Sequence, residues 1–217
     1  MPISPSRTLF AALPLLVGCW GNKEVEFPPG LEPLAVNTAP WPEPAGGQDY
    51  PEAIELVSGE DEFLWVHARA YVHAGLSTTW EALRDPEVNA DRRRLASWEV
   101  DYDVPQAYDY CYRLHVVVED IVTLRWDIDW NHGVIIGSLD EPEAVGIRWF
   151  KSEGSSLIDM QAGSISATQL EDEVTALEII YQIDAPVTTE EDLLEFVGDL
   201  FADVVAWSHG EPLPSFD

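Results

Sequence analysis

The chain has 217 residues, room for one globular domain with appendages rather than two full domains. Hydrophobic residues make up 46% of it, nine Trp among them, which excludes global disorder and supplies a core. Forty acidic against eleven basic residues give a formal net charge of -29, which repels phosphate backbones and argues against nucleic acid as a partner. The carboxylates are spread along the chain, so the acidity reads as a solubility or salt-adapted surface rather than a cation site.

Residues 1–19 divide as an export signal divides. Met1 to Thr8 hold one positive charge, Arg7, and no acid; Leu9 to Val17 form an apolar run broken only by Pro14. That run is far short of the roughly 20 residues a helix needs to cross a bilayer. Leu16-Val17-Gly18-Cys19 resembles the lipobox of bacterial lipoproteins, in which the cysteine is lipidated and becomes the mature N-terminus. The resemblance implies cleavage before Cys19, lipidation of Cys19 and a membrane anchor in the cell envelope. Trp20 after it, instead of Asp, resembles lipoproteins passed to the outer membrane, facing periplasm or cell surface. With Cys19 lipidated, Cys111 has no intramolecular partner, and it reads as a packed structural thiol between Tyr110 and Tyr112.

Residues 20–59 read as a proline-rich tether. Pro28, Pro29, Pro33, Pro40, Pro42, Pro44 and Pro51, with Gly46-Gly47 among them, favour extended, semi-rigid chain that lifts the domain off the membrane. Trp41 within it is either docked on the domain or loose. The folded domain is expected over 60–217.

Phe63 to His73 alternates apolar and polar residues, the period of a strand. Ser77-Thr78-Thr79-Trp80-Glu81 looks like a hydroxyl-capped helix start, and Asp85-Pro86 divides two short helices. Arg92-Arg93-Arg94 reads as a solvated helix face. From Trp98 the pattern is strand: Tyr108 to Val118, Thr123 to Trp130, Val145 to Lys151, Ser156 to Ala162, Ile165 to Leu170 and Thr175 to Ile183. Asn131-His132-Gly133 reads as a turn or bulge. Thr189 then caps a long helix opened by Glu190, Glu191 and Asp192, acids that the helix dipole favours there. Its apolar residues, from Leu193 to Trp207, cover a wide arc, so it is buried on most of its circumference.

This order of elements resembles the helix-grip (SRPBCC) superfamily of START lipid-transfer domains, polyketide cyclases and birch-pollen-allergen proteins. The first strand followed by Thr79-Trp80-Glu81-Ala82-Leu83-Arg84-Asp85-Pro86 carries the resemblance, together with Thr175 to Pro186 before the last helix. It implies an α+β fold in which a curved antiparallel sheet of about seven strands wraps the C-terminal helix and leaves a cavity. The family spans carriers, receptors and enzymes, so the fold alone does not name a chemistry.

Phosphate-binding glycine loops, paired-cysteine metal signatures, the zinc-protease helix motif and a serine nucleophile elbow are missing from the sequence. No catalytic residue, metal ligand or cofactor is assigned. His67 and His73 are too far apart on one strand to share a metal ion, His115 faces solvent, His132 lies in a turn and His209 at a helix end. The candidate cavity wall is aromatic: Tyr110, Tyr112, Trp126, Trp130, Trp149, Tyr181 and, on the last helix, Phe201. Arg148 or His67 could add a polar contact. The leading expectation is a lipid-anchored module that binds an apolar or amphipathic small molecule or lipid. A cyclase- or hydrolase-like enzyme using an inward His or carboxylate, and an interaction lipoprotein with a closed interior, are the alternatives.

Overall fold

The computed structural model describes residues 26–119, 122–186 and 188–216. Cys19 and the expected export signal therefore lie outside the described residues. Eight strands and three helices follow in the order β1 (Ile54–Glu60), β2 (Leu64–Val72), α1 (Leu76–Arg84), α2 (Pro86–Asn89), β3 (Ser97–Asp101), β4 (Tyr110–Glu119), β5 (Thr123–Gly137), β6 (Pro142–Gly154), β7 (Met160–Glu171), β8 (Val174–Asp184) and α3 (Glu190–Ser208). The strands form one antiparallel sheet in the order β1-β2-β8-β7-β6-β5-β4-β3, with α1, α2 and α3 against one face. Among the described residues, no helix is long and apolar enough to cross a membrane.

The helical expectations hold in position and differ in one cap. Asp85 ends α1 and caps α2, its carboxylate accepting from Glu87 N with Pro86 at the first helical position. Thr189 and Asp192 form a reciprocal capping box at the start of α3. The start of α1 is capped from a distance rather than by its own hydroxyls: Gly75 is the N-cap, and Leu76 N donates to Gln169 Oε1 at 2.6 Å.

Three strand assignments change, two of them for reasons traceable to glycine. Asn131-His132-Gly133 is no turn, because β5 runs straight through it to Gly137 and pairs Gly133 with Gly146 of β6. Ser156–Ala162 and Ile165–Leu170 are not two strands with a break at Gly163: residues 156–159 are turn and loop, and the rest belongs to the single strand β7, which runs through Gly163. The eighth strand, β1, falls in the stretch assigned to the tether and pairs with β2 from Ile54↔Ala70 to Glu60↔Leu64.

The tether is thus corrected to a strap on the outer face of the sheet. Gly133 and Gly146 lie side by side, and the Leu31 side chain, 1% exposed, packs over Gly133 while Ile135 covers Gly146. Prolines remove backbone donors, and the polar groups that remain are tied down one by one. Arg148 Nη1 donates to Glu32 O at 2.6 Å, Leu34 N to Ser164 Oγ at 3.1 Å, and Asn37 Nδ2 to Ala68 O at 2.8 Å. Arg69 Nη1 donates to Ala39 O at 2.9 Å, and Trp41 stacks on Tyr71 with ring centroids 5.1 Å apart. The globular unit therefore begins well before residue 60.

The arginine run is corrected as well. It forms a turn after α2, and its three side chains face one stripe of acids on α3 spaced three and four residues apart. Arg92 meets Asp203 at 2.5 and 2.7 Å, Arg93 meets Asp199 at 2.9 and 3.1 Å, and Arg94 meets Asp192 and Glu195. The clamp fixes α3 along its length.

Candidate functional site

One register row organises the interior. Tyr112 pairs with Trp130, Trp130 with Trp149, Trp149 with Gly163, and Gly163 with Tyr181, so five strands contribute inward positions at one level. The rings follow one another along the row: Tyr112–Trp130 and Trp130–Trp149 are stacked with centroids 6.0 and 4.6 Å apart, and Tyr181 lies tilted against Trp149 at 6.0 Å. Phe196 of α3 continues it, 5.1 Å from Tyr181. The one position without a side chain makes the row possible. A Cβ on Gly163 would stand 1.8 Å from Trp149 Cζ2, so the indole lies flat across β7 only because residue 163 is glycine.

On one side of this row the interior is filled. Val72, Leu76, Trp80, Leu83, Val145, Ile147, Ala167, Leu177 and Val204 are all buried there, with α1 against β6, β7 and β8. On the other side it is hollow. A cavity of about 420 Å³ is walled by Leu114, Val116, Leu124, Trp126, Ile128 and Ile183 and roofed by Leu193 and Phe196 from the first turns of α3. Trp130, Trp149 and Tyr181 are its floor. Small-molecule pockets occupy roughly 300–1,000 Å³, and this one is of that kind: mostly apolar, with few polar groups.

Those polar groups are ordered. Trp126 Nε1 donates to Gln161 Oε1 at 2.7 Å, and Gln161 Nε2 donates to Tyr181 Oη at 2.9 Å, a chain buried at the cavity wall. Burial pushes the Tyr181 phenol well above its ordinary pKa, so it stays protonated. Asn89 Nδ2 donates to Tyr112 Oη and to Leu83 O, both at 2.7 Å. Asp91, Arg94, Glu119 and Asp192 stand at the mouth. Burial outweighs the Arg94 charge on Asp91 and pushes its carboxyl up to about 6. Asp192 is driven upward by burial, but the capping bonds with Thr189 and the Arg94 guanidinium outweigh that and hold it low.

The expected wall residues divide between the two sides. Trp126, Trp130, Trp149 and Tyr181 line the cavity. Tyr112, Tyr110 and Phe201 are corrected. Tyr112 extends the floor row but packs on the filled side, Tyr110 lies one pleat further against Tyr112 and His132, and Phe201 is a partly buried residue of α3 away from the cavity. Arg148 and His67 face the strap instead: Thr38 N donates to His67 Nδ1 at 3.1 Å, and burial followed by the Arg69 charge lowers the pKa of that imidazole. His115 is on the outer face as expected, paired with Asp127 at 2.8 Å beside Arg113–Asp129. Cys111 is buried. His132, expected in a turn, is wholly buried behind the floor, where burial pulls its pKa down to about 3.

Sequence reasoning missed Gln161, Asn89 and Asp91. Gln161 sits at an inward position of β7 two residues before Gly163, a pattern hidden once Gly163 is taken for a break. Among the described residues, no group of three or more His, Cys, Asp or Glu could hold a metal ion.

No family model matches the chain, and no curated protein matches it. Solved structures do. Human StAR-related lipid transfer protein 5 is similar at 9% identity with a TM-score of 0.50, over 74% of this chain and 82% of that one. The human StarD13 lipid transfer and protein localization domain is similar at 14% identity and TM-score 0.48, over 74% and 85% of the two chains. A Streptomyces aromatase/cyclase is similar at 15% identity and TM-score 0.45, over 67% and 91%. Eight antiparallel strands against a long C-terminal helix, with two short helices after the second strand, give this chain an α+β helix-grip fold, which it shares with the human StAR-related lipid transfer protein 5.

Proposed function

We propose that this chain is an envelope lipoprotein, anchored through Cys19, whose helix-grip domain binds an apolar or amphipathic small molecule. The cavity of about 420 Å³ between the ring row and the first turns of α3 carries the reading. An interior with no use for that space would gain by filling it, because each buried apolar contact left unmade forfeits packing energy. A human protein of the same fold is named for lipid transfer, which is consistent with an apolar occupant. The anchor rests on the lipobox-like Leu16-Val17-Gly18-Cys19 and its basic, then apolar, lead-in.

Fluorescence titration of residues 26–217 with Nile red tests the binding. Saturable uptake is expected, and Val116→Trp, which projects an indole into the cavity, should abolish it while the chain stays folded. No saturable uptake by the unsubstituted chain would end the reading. Full-length protein expressed in bacteria should partition into the membrane fraction and take up labelled palmitate, and Cys19→Ala should lose both.

One observation favours acid–base chemistry in the same cavity as a second reading: Asp91, at its mouth, has a carboxyl that titrates at about 6. Asp91 also accepts from Arg94 N at 3.2 Å, which gives it a purely structural role in the turn. Turnover that Asp91→Asn removes without loss of ligand binding would select the enzyme.

A further inference from the structure

The strap fixes the point at which the chain enters the domain. Tyr108 Oη donates to Pro29 O at 2.9 Å, and the Leu31 side chain packs over Gly133. Phe27 lines a second cavity, of about 350 Å³, between the strap and Ile135 and Ala144 on the outer face. These partners belong to one end of the sheet, where β4 begins and β5 turns back into β6. The mouth of the ligand cavity lies at the other end. Glu119 closes β4 there, Val122 precedes β5, Ile158 precedes β7 and Asp192 lies in the first turn of α3.

Between the two ends, β5 covers about 40 Å from Thr123 to Ile135, at about 3.3 Å per residue. Phe27 stands only eight residues beyond Cys19, and eight residues span at most about 28 Å. With the mouth seated on the headgroups and β5 upright, Phe27 stands farther from the membrane than that leash reaches. Exposed apolar side chains do not choose between the ends, since Leu139 on the β5–β6 hairpin and Leu157 on the β6–β7 turn are both exposed. Nor do carboxylates, because Asp140 and Glu141 stand beside Leu139 as Glu119 stands at the mouth. Charge acts instead on the domain as a whole. A chain of net charge -29 is pushed off an anionic bilayer while the leash holds it at Phe27, so the end that carries Phe27 stays nearest.

We propose that the anchored chain stands with its β5–β6 hairpin toward the membrane and its cavity mouth turned away. Ligand then enters from the aqueous side and is not drawn from the bilayer that holds the anchor. The orientation rests on the proposed lipidation of Cys19, and the route of entry rests in addition on the cavity being the ligand site.

Energy transfer on the full-length lipidated protein tests the orientation, in vesicles of phosphatidylethanolamine and phosphatidylglycerol. Fluorescein is attached at Leu139→Cys or at Leu157→Cys, both exposed positions, while Cys111 is buried in the folded chain. Transfer to a rhodamine headgroup lipid should be severalfold more efficient from position 139 than from position 157. Equal transfer, or more from position 157, overturns the orientation, while palmitate uptake and membrane partition keep the anchor. Inserting about twenty glycine and serine residues after Val25 lengthens the leash and should bring the two values together. A difference that survives the insertion overturns the leash as its cause. Nile red should leave these vesicles for the anchored chain at the rate at which it leaves for empty acceptor vesicles, which is the rate of its escape into water. Faster loss to the anchored chain overturns the aqueous route. If Nile red does not bind at all, the ligand site and the aqueous route fall together, and energy transfer still decides the orientation. If the chain takes up no palmitate and stays out of the membrane fraction, anchor and orientation fall together.

Discussion

The two ends of the interior are built from one sheet face and solve opposite problems. At the filled end, small and medium residues on β2, β7 and β8, such as Ala70, Ala167 and Leu177, let α1 and the last turns of α3 come down onto the sheet. At the hollow end the wall residues are no smaller: Trp126, Ile128 and Leu114 stand there. Space survives because, among the described residues, no helix packs closely onto β4 and β5 beyond the ring row, while α3 is held along its length by arginines. Side-chain size does not decide where a cavity lies. The placement of the covering helix does, and the aromatic row acts as the bulkhead between the two regimes.

The arginine turn offers the sharpest way to break that contrast. At the filled end, Asp203 is 2% exposed against Arg92, and burial already pushes its carboxyl pKa up. Arg92→Leu strands a buried carboxylate and should cost about 3–5 kcal/mol in urea unfolding, limited by protonation of Asp203. At the mouth, Arg94 is 37% exposed, and Arg94→Leu should cost about 1 kcal/mol or less. Equal costs would mean that the helix is not gripped differently at its two ends.

Truncations of the apolar core should follow the same division. Leu177→Ala opens a void in packed surroundings, at a cost of about 2–5 kcal/mol. Ile128→Ala enlarges a space that already exists and should fall at or below the bottom of that range, about 2 kcal/mol, because little new cavity surface is created. The bulkhead comes next. Gly163→Ala forces the Trp149 indole off β7 and should cost about 1–3 kcal/mol, with loss of the near-ultraviolet dichroism of the stacked indoles. Unchanged dichroism would show that the ring row does not depend on residue 163.

Much of this was legible from alternation and caps. Period-two patterning places Trp126, Trp130, Trp149 and Tyr181 on one face, and Asp85-Pro86 and Thr189 mark the helix boundaries. What alternation leaves open is the level along each strand. Tyr110 and Tyr112 share the face of Trp130's neighbours and still miss the cavity, because register and helix placement, both long-range, decide the level. Phe201 fails for the parallel reason on a helix that is apolar over most of its girth. Glycine misleads twice: Gly163 and Gly133 read as punctuation, yet each marks a close approach, by Trp149 inside and Leu31 outside. The proline density of residues 28–51 speaks for extended chain, and extended chain docked on a sheet has the same local signature as extended chain in solvent.

Titration separates the two ends by the smallest effect. His132, behind the bulkhead, is held neutral by burial and then by the Arg84 charge, with a pKa near 3 against 6.5 in the unfolded chain. A lowered pKa means that its contribution to stability is complete above 6.5 and is lost as the pH falls towards 3. Asp91, at the mouth, has the opposite sign: at about 6 against 3.8, its contribution is present below 3.8 and lost as the pH rises through 6. Between pH 7 and pH 5, His132 should therefore remove about 2 kcal/mol and Asp91 add about 1 kcal/mol. Carboxylates common to all variants drop out of the comparison. Relative to the unsubstituted chain over that interval, His132→Phe should resist acid better by about 2 kcal/mol, and Asp91→Asn should lose about 1 kcal/mol more. Urea unfolding at the two pH values reads both differences. If His132→Phe responds to acid as the unsubstituted chain does, solvent reaches the imidazole, and the ring row does not seal the filled end from the hollow one.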